Sequence, residues 1–183
     1  KSSKLKELSI VKLNFISKDV LKEPLPVLKL NKLHYNGDKV LFRILMESSV
    51  KSVSVFSISN TSDEIKYFKE FLKVQKNLES LELSSFNVDL NIFEDDALLS
   101  VDFRLKKLLI NTLKQFDMEN FKKFLQIHKK SLNEVKIMHD GTFEAIKLNY
   151  EEIITVLSQF ENLKVLTLNQ LNLSAIPIIS IES

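Results

Sequence analysis

The sequence predicts an α/β solenoid, in which short parallel strands alternate with helices and each strand–helix unit stacks on the one before. Three observations predict it. The template LxxLxLxxL, apolar at its first, fourth, sixth and ninth places, recurs seven times, the sixth time with Asp140 in the last apolar place. Its starts, at residues 5, 25, 50, 78, 105, 132 and 163, lie 20 to 31 residues apart, a spacing characteristic of stacked supersecondary units. Between the templates, apolar residues recur at three- and four-residue intervals, the period of a helix.

The templates run in order through the chain. They are Leu5, Leu8, Ile10, Leu13; Leu25, Leu28, Leu30, Leu33; Val50, Val53, Val55, Ile58; and Leu78, Leu81, Leu83, Phe86. Then come Leu105, Leu108, Ile110, Leu113; Leu132, Val135, Ile137; and Leu163, Leu166, Leu168, Leu171. In the xLxLx centre of each, alternate side chains of a short strand point to one side. One repeat cannot bury its own leucines, but stacked neighbours make a continuous core.

The connections read as helices. Ser17–Lys22 has room for only about a turn or two. Asp38–Ser48 sets Val40, Leu41, Ile44 and Leu45 on one face. Ser62–Val74 opens on Ser62-Asp63-Glu64, a helix N-terminus signal, and stacks Ile65, Phe68 and Leu72. Glu94–Val101 is a shorter helix. Asp117–Lys129 has Asp117 as its N-cap and buries Phe121, Phe124 and Leu125. Asn149–Phe160 carries Ile153, Val156, Leu157 and Phe160 at helical spacing. The phenylalanines fall where the helical layer must fill space, so they read as core. Ile176, Ile179 and Ile181 follow too soon for another strand and helix, and read as a closing strand or the start of a cut repeat. Lys1–Lys4 offer no cap, so the first repeat is expected to be open or the chain to be a fragment of a longer one.

Composition narrows the functions. The 183 residues are expected to form a single domain, 1–183, of about seven repeats. A formal net charge of +2 gives no basic stripe for nucleic acid. No cysteine is present, which excludes thiol chemistry and disulfide-bonded caps and favours a cytoplasmic or nuclear setting. No run approaches the ~18 apolar residues that span a bilayer, so no membrane partner is expected. Two glycines and three prolines are too few for the frequent tight turns of a β-sandwich.

Catalytic constellations are missing from the sequence. His34, His128 and His139 come from three different repeats, without metal-ligand spacing. His34 is expected just after a strand, and His139 near the end of one. His128 is expected at a helix C-terminus, where a positive charge is favourable. Glu94-Asp95-Asp96 suits a helix N-terminus, and Gly37 and Gly141 suit turns. No glycine-rich phosphate loop and no GxSxG occurs. The expectation is a chain that is no enzyme, with no catalytic residue, metal or cofactor, and with a protein partner.

The segments Phe68-Lys-Glu-Phe-Leu-Lys-Val-Gln-Lys-Asn-Leu-Glu-Ser-Leu-Glu-Leu83 and Phe160-Glu-Asn-Leu-Lys-Val-Leu-Thr-Leu168 share one design. A helix ends, a polar link follows, and NLxxLxL opens a strand. In this the chain resembles the intracellular leucine-rich-repeat family of the ribonuclease-inhibitor-like superfold, and more narrowly the repeat regions of F-box/LRR proteins, from about Leu5 to Leu173. The resemblance implies a horseshoe with a parallel sheet on its concave side and helices on its convex side. It implies a protein–protein interaction module, the substrate-recognition part of an F-box-type ubiquitin ligase, with a skp1-type adaptor bound through a region outside this chain. The alternatives are an inhibitor or sensor that binds an enzyme or ligand, and a structural scaffold subunit of a larger complex. One departure is the ninth template place. Where the family often has Asn or Cys, this chain has Leu13, Leu33, Ile58, Phe86, Leu113, Asp140 and Leu171.

In such a fold the concave face is read from the third, fifth, seventh and eighth template places. The fifth gives Ser9, Lys29, Ser54, Glu82, Leu109, Lys136 and Thr167; the seventh gives Val11, Asn31, Phe56, Ser84, Asn111, Met138 and Asn169. Most are polar. Phe56, Leu109 and Met138 are not, and apolar groups beside charges have the composition of a binding hot spot. The candidate contact residues are Lys29, Phe56, Glu82, Leu109, Asn111, Lys136, Met138 and Asn169.

Overall fold

The computed structural model describes residues 5–11, 27–36, 42–43, 45–57, 62–85, 93, 98–112, 118–139, 150–170 and 179–182. Its strands are β1 (Glu7–Val11), β2 (Lys29–Asn36), β3 (Ser49–Ser57), β4 (Ser80–Ser85), β5 (Lys107–Thr112), β6 (Glu134–His139), β7 (Val165–Gln170) and β8 (Ile179–Glu182). Its helices, among the described residues, are α1 (Ser62–Val74), α2 (Met118–Ile127) and α3 (Tyr150–Leu157). The eight strands form one sheet in chain order. β1 to β7 are mutually parallel, and β8 returns antiparallel to β7. The class is α/β, as the alternation of strand and helix periods predicts.

Register explains the core. Leu8, Leu33, Val53, Leu81, Leu108, Val135 and Leu166 face one another across successive strands. Tyr35, Val55, Leu83, Ile110, Ile137 and Leu168 make a second row two residues on. A third row, Leu30, Val50, Leu78, Leu105 and Leu132, precedes the strand centres and is buried too. Each full leucine burial contributes about 1.5–3 kcal/mol, but only when the neighbouring repeat supplies the other wall. The helices close this core with Phe68, Phe71 and Leu72 from α1, Phe121, Phe124 and Leu125 from α2, and Ile153 and Leu157 from α3. Lys122 ties α2 to α3 by pairing with both Glu119 and Glu152, and these two acids, Glu119 first, raise its pKa.

The second repeat corrects the expected frame. Leu33 and Tyr35, not Leu28 and Leu30, face Leu8 and Ile10 of β1. The repeat therefore starts at Leu30, five residues later than the template at Leu25. The backbone agrees. The Lys6 carbonyl accepts from both Asn31 and Lys32, as the Glu79 carbonyl does from Lys106 and Lys107 and the Lys106 carbonyl from Asn133 and Glu134. Each is the residue after the first template leucine. His34 accordingly lies within β2, not beyond it.

The helical expectations hold in part. α1 keeps the expected bounds, and α2 buries the expected three residues. Phe71 and Glu64 of α1 are buried beyond the expected set, and Val156 of α3 is only half-buried. In the preceding connection Phe42 and Arg43 are helical, and fully buried Phe42 belongs to the inward face with Leu45. Phe42 packs on Tyr35, Phe68 and Phe71 with ring centroids 4.1, 4.8 and 5.4 Å apart. In the last segment β8 pairs antiparallel with β7, with Ile179 and Ile181 opposite Leu168 and Leu166, and so does not continue the parallel repeat. Lys1–Lys4, Leu25, Val40, Leu41, Ile44, Glu94-Asp95-Asp96, Asp117, Gly37, Gly141, Ile176 and the Ser17–Lys22 connection lie outside the described residues. So do the ninth-place residues Leu13, Ile58, Phe86, Leu113, Asp140 and Leu171.

Polar side chains inside the helix-to-strand links complete the backbone of the preceding repeat. Ser48 Oγ accepts from the Leu28 N–H at 3.1 Å. Gln75 accepts from the Val50 N–H through Oε1 and donates to the Ser48 carbonyl through Nε2, both at 3.0 Å. His128 Nδ1 accepts from the Leu105 N–H at 3.4 Å. All three side chains are buried, where an unpaired backbone N–H would be costly. Asn77 and Asn162, the asparagines of the two NL phrases, also reach back, to Ser49 Oγ and the Lys130 carbonyl.

His128 thereby departs from its expected role. It follows α2 but does not serve it as a cation. Burial, and secondarily the Arg104 charge, push its pKa down to about 3, so the ring is neutral. It stacks on Phe103 at 5.5 Å and meets Phe124 edge-on at 4.6 Å. Because Nδ1 accepts, the proton sits on Nε2, which has no partner among the described residues.

Candidate protein-binding face

The alternation that sends leucines inward sends the intervening residues to the opposite face of the sheet. Among the described residues this face carries no helix-borne core residue, and most of its side chains are exposed or half-buried. Strand pairing arranges them in rows. The fifth-place row runs Ser9, His34, Ser54, Glu82, Leu109, Lys136, Thr167. The seventh-place row includes Ser84, Asn111, Met138 and Asn169, and the third-place row includes Lys32, Ser52, Ser80, Lys107, Glu134 and Val165.

Of the expected contact residues, Glu82, Leu109 and Lys136 are consecutive neighbours in one row, and Asn111, Met138 and Asn169 in the next. Leu109 lies between the two charges, and Met138 between the two asparagines. Lys29 is not brought to them. It sits exposed at the start of β2, opposite Ser49. The five-residue frame shift gives its row position to His34, and that of Asn31 to Asn36. The sequence signal that finds His34 is Tyr35, an aromatic residue at an inward place that an aliphatic template passes over.

Phe56 is set apart by a local irregularity. Tyr35 pairs with Val55 but Asn36 pairs with Ser57, so Phe56 is an unpaired extra residue of β3. Such a bulge re-aims its side chain. Phe56 is 41% exposed and stacks on His34, centroids 5.9 Å apart and planes 21° apart.

The charges on this face are ordered. Glu134 pairs with Lys107 at 2.7 Å and with Lys136 at 2.8 Å, and these lysines, Lys107 first, hold its carboxyl below the usual carboxylate range. Glu82 instead accepts the Ser54 hydroxyl at 2.8 Å. Between the two acids lies an open hollow of about 110 Å³, lined by Ser80, Glu82, Lys107, Leu108, Leu109, Glu134 and Lys136. It is far smaller than a typical small-molecule pocket of about 300–1,000 Å³. Among the described residues no group of three or more His, Asp or Glu side chains is placed to hold a metal ion, and no helix is long and apolar enough to cross a membrane.

Comparison with known proteins returned no family model that matches the chain, and no curated protein or solved structure similar to it.

Proposed function

We propose that the chain is a leucine-rich-repeat solenoid, a horseshoe whose concave sheet face binds a partner protein. The observation that carries this reading is the open face itself. It is continuous across seven parallel strands, it is mostly polar, and it presents Phe56, Leu109 and Met138 without burying them in the fold. Apolar side chains held on a rigid strand, ringed by polar groups, are the usual make-up of a recognition surface. The shallow relief suits a polypeptide better than a small molecule. The helix side offers solvated groups such as Lys66, Lys73, Lys123 and Gln126.

Site-directed photo-crosslinking tests this. A photoreactive residue in place of Asn111 is expected to capture a partner protein in cells, and one in place of exposed Lys123 on α2 is not. Equal capture from both positions, or none from Asn111, would overturn the reading. Its narrower form, substrate selection for an F-box-type ubiquitin ligase, rests on the helix-to-strand phrases at 68–83 and 160–168. Failure of the full gene product to bind a skp1-type adaptor removes that form alone.

A further inference from the structure

Glu82 and Phe56 form a corner of the open face with chemistry unlike the rest of it. The two lysines nearest Glu82 on β5 and β6, Lys107 and Lys136, are both committed to Glu134. Glu82 has no cationic partner among the described residues. Its carboxylate is held in place from below by Ser54, through one oxygen, Oε2, which leaves Oε1 open. Phe56 lies two residues along β3 from Ser54, the strand neighbour of Glu82. Pairing stays regular up to Val55 and Leu83, so the Phe56 and Glu82 backbones lie about 8 Å apart, and the stack on His34 puts the Phe56 ring on the open face. The floor between and beside them is serine: Ser52, Ser54, Ser80 and Ser84. Ser54 and Ser84 are buried beneath their neighbours, while Ser52 and Ser80 are half-buried and leave the Glu82 carboxylate and the Phe56 ring standing above the sheet. Lys32, the other cation of the third-place row on this side, is one strand over and four places down, about 14 Å from Phe56.

An aromatic face backed by His34, a fixed carboxylate with no cationic partner among the described residues, and a floor of small hydroxyls together select a flat cation. A guanidinium stacks on an aromatic ring and pairs with a carboxylate in the same plane. From this geometry we infer that the Phe56–Glu82 corner receives an arginine side chain of the partner polypeptide. The ring of Phe56 takes the face of the guanidinium and Oε1 of Glu82 takes an N–H. An ammonium on a lysine satisfies the charge but not the stacking, so arginine is preferred. The inference rests on the open face being the binding surface, and it names the partner group that this surface selects.

The test uses the whole chain and acetyl-Gly-Arg-Gly-amide as the probe, followed by NMR at about 0.15 M salt, where charges beyond about 8 Å are screened. The peptide is expected to give saturable shifts at Phe56, His34 and Glu82. The same peptide with citrulline, flat but neutral, should bind about tenfold more weakly or worse, through loss of the charge-assisted pair. Glu82→Gln should weaken the arginine peptide by a similar factor, while its amide oxygen still accepts from Ser54 and keeps the fold. Phe56→Leu should erase the preference for arginine over lysine. Shifts that are equal for citrulline, that survive Glu82→Gln, or that fall elsewhere overturn the inference. Capture of a partner from position 111 that is undiminished by Glu82→Gln also overturns it, while leaving the open face as the binding surface. Loss of all capture from position 111 in the unaltered chain removes the surface itself.

Discussion

The Tyr35 hydroxyl donates to Glu64 Oε1 across 2.6 Å, joining β2 to the first turn of α1 in a place where both residues are buried. The bond spans 29 residues of sequence and fixes which part of the second repeat faces inward. Tyr35→Phe keeps the ring stack on Phe42 but takes one hydrogen bond from a buried carboxyl group. Stability is expected to fall by about 1–3 kcal/mol, seen as a lower urea midpoint at unchanged slope. A midpoint equal to that of the unaltered chain would show that the bond contributes nothing.

His128 makes stability depend on acid. Its folded-state pKa, about 3, lies below the ordinary 6.5, so the unfolded chain binds a proton that the folded chain refuses. The contribution is complete above pH 6.5 and declines as the pH falls from 6.5 toward 3. By pH 5 the expected loss from this residue is about 2 kcal/mol. His128→Gln, which can still accept from the Leu105 N–H as Gln75 does from Val50, should remove that part of the pH dependence. Urea unfolding at pH 7.5 and pH 5 compares the two proteins; parallel losses in both would locate the acid sensitivity elsewhere.

Gln75 satisfies two buried backbone groups with one side chain. Gln75→Met preserves length and removes both bonds, so the Val50 N–H and the Ser48 carbonyl lose their shared partner. The expected loss is about 2–4 kcal/mol. Amide exchange at Val50, in β3, should accelerate more than at Leu108, which lies two strands further along the sheet in β5. Uniform acceleration would mean that the change acts globally and not through the link.

Phe56→Ser with Met138→Ser should separate binding from folding. Both side chains lie on the open face, and surface changes usually alter stability by no more than about 0.5 kcal/mol. Capture of the partner from position 111 should fall at least about thirtyfold in affinity if these residues anchor it. Unchanged affinity with an intact fold would remove them as anchors.

Much of this architecture is written in the spacing of aliphatic residues. Rows such as Leu81, Leu108 and Val135 follow from the template alone, because a strand has period two and any one-residue slip would turn them outward. The second repeat shows where spacing runs out. Leu25, Leu28, Leu30 and Leu33 satisfy the template, yet the overlapping set Leu30, Leu33 and Tyr35 is the one that pairs. What separates the two frames is Tyr35, an aromatic residue that an aliphatic template passes over, and its buried partner Glu64 lies 29 residues away, beyond any local pattern. The open face was legible at Glu82, Leu109, Asn111, Lys136, Met138 and Asn169 for the same reason that the core was. The bulge at Phe56 was not, since it arises from a mismatch between two strands and leaves no mark in either. Nor was the neutral state of His128, which depends on Phe103 and Phe124 meeting it from separate segments.

Ser48, Gln75 and His128 all reach backward, each finishing the backbone of the repeat that precedes it in the chain. A ribosome delivers this polypeptide from the other direction. The amides of Leu28, Val50 and Leu105 therefore leave the exit tunnel before the side chains that satisfy them, by 20, 25 and 23 residues. At these three seams the earlier repeat is provisional until the following link has been made, and a nascent chain stalled before Ser48, Gln75 or His128 exposes one backbone amide still without its partner.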